Sequence, residues 1–153
     1  MIQVHDLLAL EALDQRLRIL ERKREIEGET MAAQIEDQRT LTQSIIDIAV
    51  ESWRFARLFA KVVGKLDAGE SGRYANQLRY FTKKIEESLE TSGLKLVNVE
   101  GHPYDPGMAA SALNLADFGP DDMLVVDQMV EPIVMGEDGV RRQGTVMLRK
   151  VDP

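Results

Sequence analysis

The chain has 153 residues, enough for one ordinary domain or for two small modules with a helical spacer. Its 19 Lys and Arg against 26 Asp and Glu give a net charge of -7, without the basic footprint that tracks phosphates, so nucleic acid as the main ligand is disfavoured. With no cysteine, disulfides, thiolate zinc sites and Cys nucleophiles are excluded, and His5 and His102 lie too far apart in sequence to suggest a histidine metal site.

At the start, the apolar run Leu7-Leu8 is short and Asp6 stands where a secretory signal would carry positive charge. No stretch approaches the roughly 18 apolar residues of a membrane span. The expectation is a cytoplasmic protein with no membrane partner. One Trp, three Tyr and four Phe are a lean aromatic supply, which suggests that part of the apolar surface is buried against a second copy of the chain.

Residues 1–40 read as a long coiled-coil helix. Leu10, Leu13, Leu17 and Leu20 follow the alternating three and four spacing of a two-stranded seam. The same register then meets Arg24, Glu27, Met31, Gln34 and Gln38 before Leu41, Ile45 and Ile48 restore it, so a stutter or looser pairing is expected near Gly28. Residues 41–93 read as a helix pair. Its first helix, to Val63, is apolar on more than one side, Gly64 to Gly72 is expected to be a loop, and a second helix spans about Arg73 to Thr91 with Gly93 closing it. Two such helices make a four-helix bundle if the chain is a homodimer. At helical spacing Trp53, Phe55, Phe59, Tyr80 and Phe81 are expected to be core, with the lining of a pocket as the alternative reading.

All five prolines fall from Pro103 onward, and residues 94–153 read as a small β domain. Leu124 to Val130, Pro132 to Met135 and Thr145 to Val151 are the predicted strands, a weaker one follows Leu94, and Gly136-Glu137-Asp138-Gly139 is a hairpin turn. The fold class expected is α+β.

Catalytic chemistry finds little support. The glycines at 136, 139 and 144 precede no helix that could cradle a phosphate, Asp121-Asp122 and Glu137-Asp138 are adjacent turn residues expected to face water, and no serine has a histidine base nearby. His102, in a turn, and the cluster Arg22-Lys23-Arg24, flanked by Glu21 and Glu25, are read as surface features. No catalytic residue, metal ligand or cofactor is assigned, and the chain is not expected to be an enzyme.

The junction carries a more specific signal. Ser92-Gly93-Leu94 through Val99, then Gly101-His102-Pro103-Tyr104-Asp105-Pro106, resembles the Gly, strand, Gly-x-Pro-Phe-Asp-Pro passage of the GrpE family, the nucleotide exchange factors of DnaK-type chaperones. Pro120, Leu124-Val125-Val126, the hairpin, and Arg142 to Val146 follow in the family's order, so the resemblance covers about residues 40 to 151. Departures are Ala109 and Ser111 after the Asp-Pro, Pro132-Ile133 before the hairpin, and Gly139 where an arginine is common, with Arg141 as stand-in.

The resemblance implies a homodimer whose β domain binds the ATPase domain of a DnaK-type heat-shock chaperone and promotes ADP release. Pro132, Ile133, Val134, Met135, Arg141 and Arg142 are the expected contact residues, and Leu10, Leu13, Leu17, Leu20, Ile45 and Ile48 the expected dimer seam. The alternative is a dimeric adaptor of the same fold with a non-chaperone partner. Sedimentation equilibrium at micromolar concentration is expected to return twice the 17.2 kDa chain mass; a mass of one chain contradicts the dimer.

Overall fold

A computed structural model describes residues 3–151. The protein is α+β. Helix α1 spans Val4–Val63 and α2 spans Ala68–Thr91; strands β1 (Leu94–Val97), β2 (Ala110–Ala112), β3 (Leu124–Glu131), β4 (Ile133–Gly136), β5 (Gly139–Arg142) and β6 (Gly144–Lys150) follow, with a 3-10 turn at Leu115–Asp117. The chain divides into two units, Met1–Ser44 and Ile45–Pro153.

The described part of the first unit is helical from Val4 onward, and the helix passes Gly28 without a break. No proline interrupts it, and the hydroxyls of Thr30, Thr40, Thr42 and Ser44 donate to carbonyls four residues back, at 2.9 to 3.0 Å, so the helix's own backbone satisfies them. Ion pairs such as Arg18–Asp14 at 2.9 Å lie on its solvated surface and contribute little.

In the second unit, α1 ends in a tight turn in which the Gly64 N–H donates to the Ala60 carbonyl at 3.0 Å. The expected loop from Gly64 to Gly72 is shorter than the sequence suggested. Asp67 is an N-cap whose Oδ1 accepts from the N–H groups of Gly69 and Glu70 at 3.1 and 3.0 Å, so α2 begins at Ala68 and incorporates Gly69 and Gly72. Gly93, at φ +69°, ends α2 in a conformation that costs glycine nothing.

The strands form two three-stranded sheets, β1-β4-β5 and β2-β6-β3; β2 runs parallel to β6 and the other pairs are antiparallel. They stack in layers. Val134 on one face of β4 joins Ile46, Ala49 and Val50 of α1, Leu89 of α2 and Leu94 of β1 in one core cluster. Its neighbour Ile133 points the other way, into a second cluster with Ala110, Val126, Met129, Val146 and Leu148 of the other sheet. This shared strand is why the helix pair and the β strands pack as one unit where the sequence reading separated 41–93 from 94–153.

Two strands were not anticipated. β5 pairs with β4 across the hairpin, so the turn at 136–139 leads into Gly139–Arg142 before β6 begins. β2, three residues long, joins the second sheet through Ala110↔Gly144 to Ala112↔Val146. Of the expected core aromatics, Trp53 packs partly against the second cluster, whereas within one chain Phe55 and Tyr80 are exposed and Phe81 is partly so, at 37 %.

Gly144 sits in tight packing: a Cβ there would stand 2.9 Å from both the Glu131 carbonyl oxygen of the same sheet and Ile133 Cγ1 of the other. Gly144→Ala is expected to destabilise by about 1–3 kcal/mol through overpacking. Gly28→Ala, with open space around it in mid-helix, is expected to stabilise by about 0.5–1 kcal/mol. Urea midpoints check both; equal shifts of the same sign contradict this packing.

Candidate partner-binding surface

The residues picked out for partner contact sit on the β4-β5 hairpin and divide into two groups. Pro132, Ile133 and Val134 are buried, Val134 completely. Their assignment as contact side chains is corrected: the run is apolar because β4 is covered on both faces, and these side chains serve the protomer's own core. Met135 is half-buried against the second cluster.

Arg142 Nη1 donates to Asp47 Oδ1 of α1 at 2.8 Å and anchors the hairpin to the helix. Arg141 lies across Gly136, where a Cβ would meet its Nε at 2.6 Å, and its Nη2 stands 4.0 Å from Asp138 Oδ2. Of the six, Arg141 is the one whose side chain reaches solvent most freely, at 47 % exposure. Glu137 and Asp138 at the turn are exposed, as their position suggested.

A second set of polar contacts, unforeseen in the sequence, ties α1 to the strands. Arg57 lies 4.8 Å over the Trp53 ring and pairs with Glu100 at 2.5 Å. The same Glu100 Oε1 accepts the Met129 N–H at 2.8 Å, and the Glu100 N–H donates to Asn98 Oδ1 at 2.9 Å. Burial, the largest single influence on Glu100, raises its pKa, but the Met129 N–H and the Arg57 guanidinium together hold it below the ordinary glutamate value. Arg54 bridges Glu51 at 3.1 Å and approaches Glu131 of β3 at 3.9 Å.

The junction motif has a structural explanation. Gly101, at φ +80°, turns the chain so that 101–104 lies along β3: the Gly101 N–H donates to the Val126 carbonyl at 2.8 Å, the Val126 N–H to His102 O at 2.9 Å, and the Tyr104 N–H to Leu124 O at 2.9 Å. Pro103 bridges Val125, and Asp105 Oδ1 accepts the Gly107 N–H at 2.7 Å. Asp122 corrects the picture of solvated turn acids. It accepts from Lys150 Nζ at 2.6 Å and from the Gly119 N–H at 2.8 Å, and these two donors, Lys150 foremost, lower its pKa.

The expected dimer-seam residues are open. In the first unit Leu10, Leu13, Leu17 and Leu20 are each more than half exposed, and in the second Ile45 and Ile48 are exposed. Within the second unit, a groove of about 200 Å³ opens between α1, α2 and β1, lined by Trp53, Ala56, Phe81, Ile85, Leu96 and Val97 among others. Among the described residues no three His, Cys, Asp or Glu side chains are grouped as metal ligands, and no helix is long and apolar enough to cross a membrane. Compared with family models, with characterised proteins and with solved structures, the chain matches none.

Glu100 provides a test of the helix-to-strand contact. Because its folded pKa is depressed, its stabilising effect is full above the unfolded value of about 4.3 and is lost as pH falls through the lower folded value. Glu100→Gln is therefore expected to lower the urea midpoint at neutral pH, and the gap from the unaltered protein to narrow as pH falls below about 4. A gap that is constant with pH contradicts an ionised Glu100 as the group responsible.

Proposed function

We propose that this protein is a homodimeric nucleotide exchange factor of GrpE type, which binds the ATPase domain of a DnaK-type chaperone through its β strands and promotes ADP release. The observation that carries the reading is the junction: the residues that resemble the family's passage, Gly93, Gly101, Pro103 and Asp105, are the ones whose backbone conformation and hydrogen bonds join a helix pair to a two-sheet β unit.

Dimerisation is supported by apolar surface that a single chain leaves in water. The spacing of Leu10 to Leu20 continues in register, and beyond Ile45 and Ile48 the same alternation reaches Phe55, Phe59 and Val62. Phe55 and Val62 are exposed, at 58 % and 47 %. A second copy presenting the same stripe covers this surface without any charged residue having to enter the Leu10–Leu20 or Ile45–Val62 stretches of the seam.

Exchange needs no catalytic group. A protein that binds the open, nucleotide-free form of an ATPase more tightly than its ADP form weakens ADP by the same factor. A thousandfold effect corresponds to about 4 kcal/mol of differential binding, within reach of an interface of ordinary size. The binder must be stiff enough to hold the other protein's shape, and the layered packing around β4 supports that role.

Stopped-flow release of labelled ADP from a DnaK-type chaperone is the test. Acceleration that saturates with dimer concentration is expected. No acceleration at saturation rejects exchange activity, and an ATP-insensitive complex with a non-chaperone protein replaces it with the adaptor reading.

A further inference from the structure

The second sheet has an inner face, on the core, and an outer one. Val126, Val146 and Leu148 point inward, so alternation sends Val125 and Asp127 of β3 and Met147 and Arg149 of β6 outward. The Asp127–Arg149 pair at 3.2 Å places those two together on that face. At one end of this sheet three large apolar residues are exposed: Leu113 at 64 %, Leu115 at 45 % and Met123 at 69 %.

Hydrogen bonds bring these residues to the same strand end. Asn114 Nδ2 donates to the Leu148 carbonyl at 2.9 Å and the Leu148 N–H donates to Asn114 Oδ1 at 2.8 Å, fixing Leu113 and Leu115 beside β6. The Val151 N–H donates to the Met123 carbonyl at 2.9 Å, which sets Met123 on the opposite flank of the same strand. Side chains held outward by a rigid backbone, in water, are what a docking surface provides before its partner arrives.

Charge selects the partner. The two cations at this end are already matched, Lys150 by Asp122 and Arg149 by Asp127. Asp105, which follows the Tyr104–Leu124 pairing and so lies near Met123, and Asp117 and Asp121 in the loop after β2, are exposed and form no ion pair among the described residues. Phosphates of nucleic acid or of an anionic membrane are repelled by such a rim. A second copy docked face to face would set carboxylates against carboxylates.

We propose that the Leu113–Leu115–Met123 end of the second sheet docks a protein surface whose apolar centre is ringed by lysine and arginine. Resting on the exchange-factor reading above, that surface belongs to the chaperone's ATPase domain. This moves the contact from the buried β4 strand to the outer face of the other sheet.

The test uses the full chain and a purified, nucleotide-free ATPase domain of a DnaK-type chaperone, titrated calorimetrically at low and high salt. Two variants are compared, Leu113→Ser with Met123→Ser, and Asp117→Lys with Asp121→Lys, each checked for unaltered circular dichroism and sedimentation. Each is expected to weaken binding by about tenfold or more, and the charge-reversed one to lose most of the salt dependence. Tight binding by the unaltered chain with no loss in either variant overturns the docking surface and leaves the exchange reading standing. No binding by the unaltered chain overturns the exchange reading, and this assignment of the partner with it.

Discussion

The burial of β4 on both faces is the constraint on which the second unit depends. A strand whose side chains alternate between two cores must have a complete layer on each side: the helices against Val134, the other sheet against Ile133. Pro132 at its entry, fully buried, and Gly144, which allows β6 to come close to Ile133, are the residue choices this sandwich requires. Ile46, Ala49 and Val50 of α1 cover the Val134 face of β4 together with Leu89 and Leu94, so the strands share their core with the helix pair.

Around that core, polar contacts fix orientation more than they add stability. Arg142 to Asp47, Arg57 to Glu100 and Arg54 to Glu131 each join α1 to a different strand or turn, and all are partly solvated, so each is worth modest energy. Glu100 has a further effect. By accepting the Met129 N–H it satisfies a backbone donor on β3 where the 101–104 segment no longer covers the strand edge, which limits pairing with stray strands. A unit held this way by packing and by directional contacts can transmit force to another protein without yielding, the property an exchange factor of the proposed kind needs.

Much of this was legible in the residues, for identifiable reasons. The long helix followed from the absence of proline and from the heptad spacing, and the hairpin from Gly136-Glu137-Asp138-Gly139. Other features were hidden by ambiguity of local pattern. Pro132-Ile133-Val134-Met135 is a short apolar run, which sequence alone cannot tell from an exposed contact strand; only the layers on both sides show it to be interior. β2, at three residues, is too short for any periodicity, and with it went the outer face to which Leu113 belongs. Gly69 and Gly72 suggest a loop after Asp67, yet the capping bonds of Asp67 outweigh two exposed helical glycines. For the aromatic residues of α1 and α2, helical spacing says which face they share and not what covers it.

Native-state hydrogen exchange tests the central claim most directly, through the amides of Val50 on α1, Val134 on β4 and Val146 on β6. If β4 binds helices and sheets into one cooperative body, all three exchange with the same opening free energy, and denaturant shifts them together. Exchange of Val134 and Val146 through a lower-energy opening that leaves Val50 protected would mean that the strands come apart from the helix on their own, and the account of a rigid binding unit would be contradicted.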